Sequence, residues 1–547
     1  MASPAPRAAL KVFGIPELAY LICGAIQRRD NVNLMQACRE LFYSILPLVW
    51  EEVDGPTSLV SMIPGGGVVS YESDLSPYVV MQLPGSLELS RFNIYAPHVK
   101  RLALSHIPVD GYDNWEGFLS CTRSVDLLPN LETIYFPTSD ISESTTNSGK
   151  VDTDSVNWAI AFLSASLQTL GQVPSEVPHY ARDTSLPWLD FSSSNSLVTS
   201  VAQKCLNLRS LSILPAEVKL TGPTLWSYGR NLPISFSSDS PETYSSFLQL
   251  GNLTSLLISA VILCPEGLIS LSGLPRLESL TILGWENDRK VYCDHLQIPI
   301  NAFPALKHLE LNRLDWDTIF NLCDAKALIA GLESMTITHP HRPWDNEESF
   351  KDLSDIIALL VINNSSITAL AVHEYRSYQT SPEMLNSWNR LPLVSLYIGW
   401  TVIQSGGFEA MWSILSCLPL LENLQLSMGR SFDLRQMKKI VETLPRLRRI
   451  QIPVEWESVT QLTREDFTPC RSQFDYPLHV KSNFYLPESQ EGARQLARYL
   501  SLLRPTAPVI CESFRAYFYC CYGASPGYID EQPKDTINLE LSRLGLK

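Results

Sequence analysis

Leucine and isoleucine recur along the chain in one phrase, Leu-Pro-x-Leu-x-x-Leu-x-Ile, written most plainly as LPRLESLTI at 274–282. It returns as FPALKHLEL (303–311), LPLVSLYI (391–398), LPLLENLQL (418–426) and LPRLRRIQI (444–452), with looser copies LGNLTSLLI (250–258), GLESMTI (331–337) and SITALAV (366–372). The first Leu of each L-x-x-L, with Ile367 standing in once, falls at 253, 277, 306, 332, 367, 393, 421 and 447, at intervals of 24, 29, 26, 35, 26, 28 and 26. A period near 26 kept over this many copies marks a repeat architecture. Upstream copies, HVKRLAL (98–104), LPNLETIYF (128–136), SLQTLGQV (166–173) and LNLRSLSI (207–213), are 32 to 45 residues apart. Ser-rich polar stretches at 140–155 and 227–246 are the loops that fill the wider gaps.

The end of each phrase alternates apolar and polar, which predicts a short strand with Leu280 and Ile282 inward. Between strands the spacing turns helical. Met411, Ile414, Leu415 and Leu418 share one face, as do Leu434, Met437, Ile440, Val441 and Leu444. Proline at 275, 304, 392, 419 and 445 stops each helix before the strand begins. A lone strand–helix unit cannot bury its apolar face. Stacked units can, with strands on a concave side and helices outside.

Over residues 95–455 this pattern resembles leucine-rich repeat proteins of the long, helix-bearing kind. The fold class expected is α/β: an irregular leucine-rich repeat solenoid of strand–helix units with a period of about 26. The Asn or Cys expected three positions after the last strand Leu is missing, those places including Trp285 and Leu314, so no regular asparagine ladder is expected.

The segment before the repeats differs in kind. In residues 12–53 Ile15, Leu18, Ile22 and Ile26 are spaced 3, 4 and 4 apart, as on a helix. Pro16 and Glu17 suit a first turn. RRDN is expected to break this helix, Leu34, Met35, Cys38, Leu41 and Phe42 to form a second stripe, and Pro47 to interrupt before Trp50 ends a third segment. Three helices this short make a poor independent core, so a partner is expected. The residues Ile15-Pro16-Glu17-Leu18, Ile22, Ile26, Asp30, Leu34, Cys38-Arg39 and Val49-Trp50 resemble the F-box, of the kind seen in fungal F-box proteins. The resemblance implies docking onto the Skp-type adaptor of a Skp–cullin–F-box ubiquitin ligase and, through it, the cullin. The contacts carried over are Pro16, Leu18, Ile22, Ile26, Leu34 and Trp50. The alternative is that these helices simply cap the first repeat.

The organisation expected is therefore a flexible N-terminus (1–11), the F-box (12–55), a connecting segment (56–94), the solenoid (95–455), a final repeat or cap (456–520) and a polar tail (521–547). Within the cap, Leu496, Leu500 and Leu503 predict an amphipathic helix followed by a short strand.

Composition narrows the function. With 45% hydrophobic and 18% charged residues among 547, a large core is expected and global disorder is not. A net charge of −15 argues against nucleic acid and anionic membranes as partners. No secretory signal is read, and the run Ile356–Ile362 is too short to span a bilayer, so a cytoplasmic or nuclear protein is expected. The 12 cysteines are scattered without a CxxC pair, which fits free thiols in a reducing compartment.

No catalytic constellation emerges. GASPG (523–527) imitates a nucleophile elbow, but Pro526 has no N–H to donate. PGGG (64–67) lacks a following Lys-Ser or Lys-Thr and reads as a flexible loop. HPHRP (339–343) has no further ligands at metal-binding spacing. The chain is expected to be no enzyme and to need no cofactor or metal. Its expected work is to bind an unknown protein target on the polar positions of the strands and just past their ends: Trp285, His308, Glu310, Asn312, Arg313, His373, Tyr397, Trp400 and Gln425, with Ser395 and Asn423 beside them. The competing expectation is a repeat scaffold with no part in ubiquitin transfer.

Overall fold

The computed structural model describes residues 11–71, 78–104, 109–136, 153–171, 188–189, 191–215, 242–284, 298–338, 353–363, 366–376, 386–402, 407–428, 431–470, 476–482, 490–513 and 532–544. The chain divides into two compact units, residues 1–280 with 303–305 and residues 281–302 with 306–547.

The first unit opens with three helices, α1 (Pro16–Ala25), α2 (Arg28–Met35) and α3 (Arg39–Trp50). Its strands are β1 (Glu52–Asp54), β2 (Gly67–Tyr71), β3 (Tyr78–Gln82), β4 (Arg101–Ala103), β5 (Gly111–Asp113), β6 (Thr133–Tyr135), β7 (Thr169–Leu170), β8 (Trp188–Leu189), β9 (Ser210–Pro215) and β10 (Ser255–Ser259). Strands β1, β4, β6, β7, β9 and β10 pair in parallel in that order, with β8 beside β9. The sheet thus begins at residue 52, directly after α3. The segment 56–94 is more than a connection: β2 and β3 form an antiparallel pair, and β3 takes β5 as a parallel neighbour. PGGG is the tight turn into β2, with Gly65 at φ 83° and the Gly66 N–H donating to the Ile63 carbonyl.

Strand β11 (Ser279–Leu283) lies across the division. The second unit holds β12 (His308–Asn312), β13 (Ser334–Thr338), β14 (Ala369–Arg376), β15 (Ser395–Val402), β16 (Asn423–Met428), β17 (Arg449–Gln451), β18 (Leu478–Ser482) and β19 (Val509–Ser513), parallel and in chain order. Each unit is a stack of leucine-rich strand–helix repeats.

Two local devices recur among the described repeats. In Leu-Pro-x-Leu the first carbonyl accepts from the fourth N–H, as in Leu128–Leu131, Leu418–Leu421 and Leu444–Leu447. Proline at the second place of that turn presets its φ, so Pro129, Pro419 and Pro445 shape the turn itself besides ending the helix. Next, one carbonyl just before a strand accepts two successive N–H groups of the following repeat. Lys307 O takes Glu333 and Ser334, Glu333 O takes Thr368 and Ala369, Thr368 O takes Val394 and Ser395, and Val394 O takes Glu422 and Asn423. This ladder fixes the register at the entry to these strands.

Burial follows the phrase. Leu309, Leu311, Met335, Ile337, Leu396, Ile398, Leu424 and Leu426 are buried, and so are the helical stripes Met411–Ile414–Leu415–Leu418 and Leu434–Met437–Ile440–Val441–Leu444. Helix Leu434–Thr443 starts with a full capping box, Asp433 accepting from the Gln436 N–H while Gln436 accepts from the Asp433 N–H. Where an asparagine ladder would run, backbone amides serve: Gly284 N–H donates to Asn312 O and Arg313 N–H to Thr338 O. The described part of the polar tail is a helix, Gln532–Arg543, which buries Ile537 and Leu541. Its Asn538 side chain accepts from the Cys511 N–H and donates to the Cys511 carbonyl, taking the place of a neighbouring strand along β19.

Candidate interaction surfaces

The first surface belongs to α1–α3. Helix α1 buries only Ala19 and Cys23, a stripe of small side chains four residues apart. Behind them lie Met35 of α2 and Ile45, Leu46 and Val49 of α3. Asn31 donates its amide to the Cys23 carbonyl at 2.9 Å and ties α2 to α1. Arg28 reaches the Val49 and Glu52 carbonyls at 3.2 and 2.8 Å and Asp54 at 3.2 Å, which fixes α2 on the α3–β1 junction.

The larger apolar side chains of α1 are left outside. Leu18 is 40% exposed, Ile26 37%, Tyr20 61% and Leu21 66%; Pro16 and Ile15 are exposed and Ile22 is half-buried. The sequence stripe contained Leu18, Ile22 and Ile26 but missed Tyr20 and Leu21, although a helix anchored by Ala19 and Cys23 must turn residues 20 and 21 outward. Leu34 and Trp50 differ from the other four carried-over residues. Both are half-buried against the cluster, and the Trp50 ring meets Tyr95 at 4.6 Å.

The boundaries of these helices also correct the expectations. RRDN opens α2 rather than breaking structure, with Asp30 in the first turn. Cys38 is an extended N-cap and not part of a helical stripe. Pro47 lies inside α3: the hydrogen bond it removes falls on the carbonyl of exposed Tyr43, while Ile45, Leu46 and Val49 hold both sides of it in the core.

The second surface is the polar face of the sheet in the second unit. The parallel register sets residues in rows across strands. One row runs Ser334–Ala369–Ser395–Asn423–Arg449–His479, another Thr336–Ala371–Tyr397–Gln425–Gln451–Lys481–Glu512. On this face the candidate residues fall into two groups. His308 Nδ1 lies 2.7 Å from Ser334 Oγ, and Glu310 accepts from Thr281 at 3.1 Å and from Asn312 at 3.0 Å. His373 packs on Tyr397, ring centroids 4.3 Å apart, next to Gln425 on β16. Four strand steps, about 19 Å at ordinary spacing, separate β12 from β16. Arg313 has a left-handed backbone, φ 56°. Trp400 lies within β15, its backbone in register with Met428, and not past the strand end. Trp285, GASPG and HPHRP lie outside the described residues.

Tyr397 and Gln425 belong to a groove of about 440 Å³ that continues over β17 and β18 to Glu512 on β19. Its floor is Leu396, Leu424 and Ile450, and its far end carries Arg449, Gln451, His479 and Lys481. His479 Nδ1 meets Glu512 Oε1 at 2.7 Å. Sequence reading stopped at Gln425, yet the alternation Leu478-His479-Val480-Lys481 carried the same inward–outward signal.

The cysteines of the described residues are unpaired thiols. Burial pushes Cys205 and Cys511 up to about 12, so these thiols stay protonated. No helix of the described residues is long and apolar enough to cross a membrane. Among the same residues no group of three or more His, Cys, Asp or Glu side chains could hold a metal ion.

No family profile and no curated protein matches the chain. Among solved structures it is similar to a chain of the yeast Rad7–Elc1 complex, at 14% identity and a TM-score of 0.29 over 65% of this chain and 76% of that one. An internalin of Listeria monocytogenes aligns at 11% identity and a TM-score of 0.25, over 78% of this chain and 87% of that one. A chain of the TLR13–ssRNA13 complex aligns at 13% and 0.30, over 82% and 61%. These likenesses are too distant to transfer a partner or a role.

Proposed function

We propose that this protein is the substrate-recognition subunit of a Skp–cullin–F-box ubiquitin ligase, acting in the cytoplasm or nucleus. Residues 12–55 dock the small adaptor and through it the cullin, and the repeats hold a target protein. The chain itself performs no catalysis; it raises the target's effective concentration beside the subunits that transfer ubiquitin. The observation that carries this reading is the apolar surface of α1, where Leu18, Tyr20 and Leu21, with Ile26 just past the helix end, stay exposed on a segment whose sequence resembles the F-box. Covering a large aliphatic side chain yields roughly 1.5–3 kcal/mol, so a few of them offset the cost of association. Pro16, Leu18, Ile22 and Ile26, joined by Tyr20 and Leu21, form the contact; Leu34 and Trp50 support it from behind.

A second reading, a repeat scaffold whose helices only cap the stack, is favoured by the packing of Trp50 on Tyr95 and by α3 running straight into β1. One experiment separates the two. The full chain and its Leu18→Asp/Leu21→Asp variant are titrated with purified Skp-type adaptor by calorimetry. The proposal expects the wild type to bind and the variant to bind at least about tenfold more weakly with its melting curve unchanged. No binding by the folded wild type, or equal binding by both, leaves the scaffold.

A further inference from the structure

Among the described residues, the small sheet β2–β3–β5 ends at an edge that no further strand covers. Strand β3 meets β5 through alternate residues. The Val79 N–H donates to Asp110 Oδ2 at 2.7 Å, the Asp110 N–H to Val79 O at 2.7 Å and the Leu83 N–H to Asp113 O at 3.1 Å. Tyr78, Val80 and Gln82 therefore turn the other way, toward their partners Tyr71, Val69 and Gly67 on β2. By the same alternation the N–H and C=O of Val68 and Ser70 point out of the sheet. Both residues are exposed, and nothing lies within 4 Å of the place a Cβ of Gly67 would take.

Folded proteins ordinarily guard such an edge with charge, proline or a bulge. Strand β2 has none of these, and its register with β3 is unbroken. Residues 55–71 and 78–87 contain no Asp, Glu, Lys or Arg, although the chain carries −15. A second copy therefore meets no like charge here, while the rest of the molecule repels it.

The strand is also complementary to itself. Set antiparallel to another β2 about a two-fold axis through Val69, Val68 faces Ser70 of the copy and Ser70 faces its Val68. All the outward N–H and C=O groups of these residues are then satisfied, in four hydrogen bonds. An axis through Val68 or Ser70 leaves the other without a partner inside the strand. On the chosen axis Val69 faces Val69. Tyr71, 49% exposed, faces Gly67 of the copy, whose missing side chain leaves room for the ring. Val68, 46% exposed beside the fully buried Met81, carries that apolar face across the junction.

We propose that the protein pairs with a second copy of itself through β2, joining two three-stranded sheets into one. A strand of five residues covers far less than the roughly 1,200 Å² of a stable interface, so the dimer is weak and forms with rising concentration. This pairing goes beyond the ligase reading and does not depend on it.

The test is sedimentation velocity of the full-length chain over a wide range of concentration. A reversible dimer with a roughly micromolar Kd is expected, tightening at least about threefold when salt screens the repulsion between two chains of −15. Val68→Lys places a cation at the edge and Ser70→Pro removes an outward N–H. Each is expected to weaken the dimer at least about tenfold with an unchanged melting curve. Register is read separately by oxidation with copper–phenanthroline. Val69→Cys, on the axis, is expected to give at least about fivefold more cross-linked dimer than wild type or than the more exposed Val68→Cys. A monomer at every concentration overturns the proposal. So does a dimer that survives both edge substitutions, weakens with added salt, or cross-links as well at 68 as at 69. A dimer lost only in Leu18→Asp/Leu21→Asp lies on α1 and overturns it too. A chain that dimerises through β2 but ignores the adaptor keeps this proposal and loses the ligase reading; one that binds the adaptor and stays monomeric does the reverse.

Discussion

The two surfaces differ in what lies behind them. The exposed leucines of α1 stand on a thin support of Ala19 and Cys23, backed by four further buried residues, Met35, Ile45, Leu46 and Val49. The groove stands on strands whose alternate residues, Leu396, Ile398, Leu424, Leu426 and Ile450, are all buried together with the helical stripes of the same repeats. A thin core under an apolar skin gains from a lasting partner, because covering it completes a hydrophobic interior. A thick core under a polar skin is complete alone, so its surface can discriminate between ligands that come and go. Under the proposed function, the contrast matches a lasting contact at the first surface and an exchangeable one at the second.

One pair of substitutions tests that contrast most severely. Leu424→Asp puts an unpaired carboxylate in the second unit's core and is expected to cost more than about 4 kcal/mol, abolishing its cooperative transition in calorimetry. Leu21→Asp, at a position 66% exposed, is expected to change stability by no more than about 0.5 kcal/mol. Comparable losses from the two would erase the distinction.

A smaller effect sharpens the picture of the supporting layer. Asp433→Ala removes the carboxylate arm of the capping box and should cost about 1 kcal/mol, read as a lower urea midpoint with an unchanged slope. An unaltered midpoint would show that packing alone starts this helix.

The smallest effect is electrostatic. The Arg435 guanidinium, bonded to both oxygens of Asp466 at 2.8 and 2.9 Å, and the Thr463 N–H at 2.6 Å hold the Asp466 carboxyl well below the usual carboxylate range. A depressed value means the contribution is complete above the unfolded carboxyl's titration, near pH 4, and fades as pH falls below it. The stability difference between wild type and Asp466→Asn should be constant from pH 5 to 8 and shrink below about pH 4. It should be small throughout, because Arg435 is exposed. A difference that persists unchanged to pH 2 would remove the ion pair from the account.

How far the sequence spoke depended on the range of the interaction. The phrase around Leu280, Leu309, Leu396 and Leu424 and the stripes ending at Leu418 and Leu444 are local patterns, and each predicted position is buried. The helix with Leu496, Leu500 and Leu503 inward and the strand after it were equally readable. Three features were not. Strand β3 pairs with β5 about thirty residues onward, a choice no window of sequence contains. The tail helix buries two apolar residues, Ile537 and Leu541, among those described, too few for a clear period, and Asn538 acts through a strand 27 residues away. The exposure of Tyr20 and Leu21 depends on which narrow face of α1 is covered, and periodicity alone left that undecided because α1 is apolar nearly all round. Of the candidate binding residues, strand alternation located Tyr397 and Gln425, but the groove they enter became visible only through the register with Arg449 and Lys481.

The carbonyls of Lys307, Glu333, Thr368 and Val394, each accepting two amides of the next repeat, have a consequence for how such a chain can vary. Alignment of successive strands is decided there, upstream of the strand, so material added on the helical side leaves the rows unmoved. Intervals of 26 and 35 residues therefore coexist in the second unit's stack, and its polar rows keep their register. Lengthening a loop by ten residues should alter how fast the chain closes its contacts far more than where Tyr397 stands relative to Lys481.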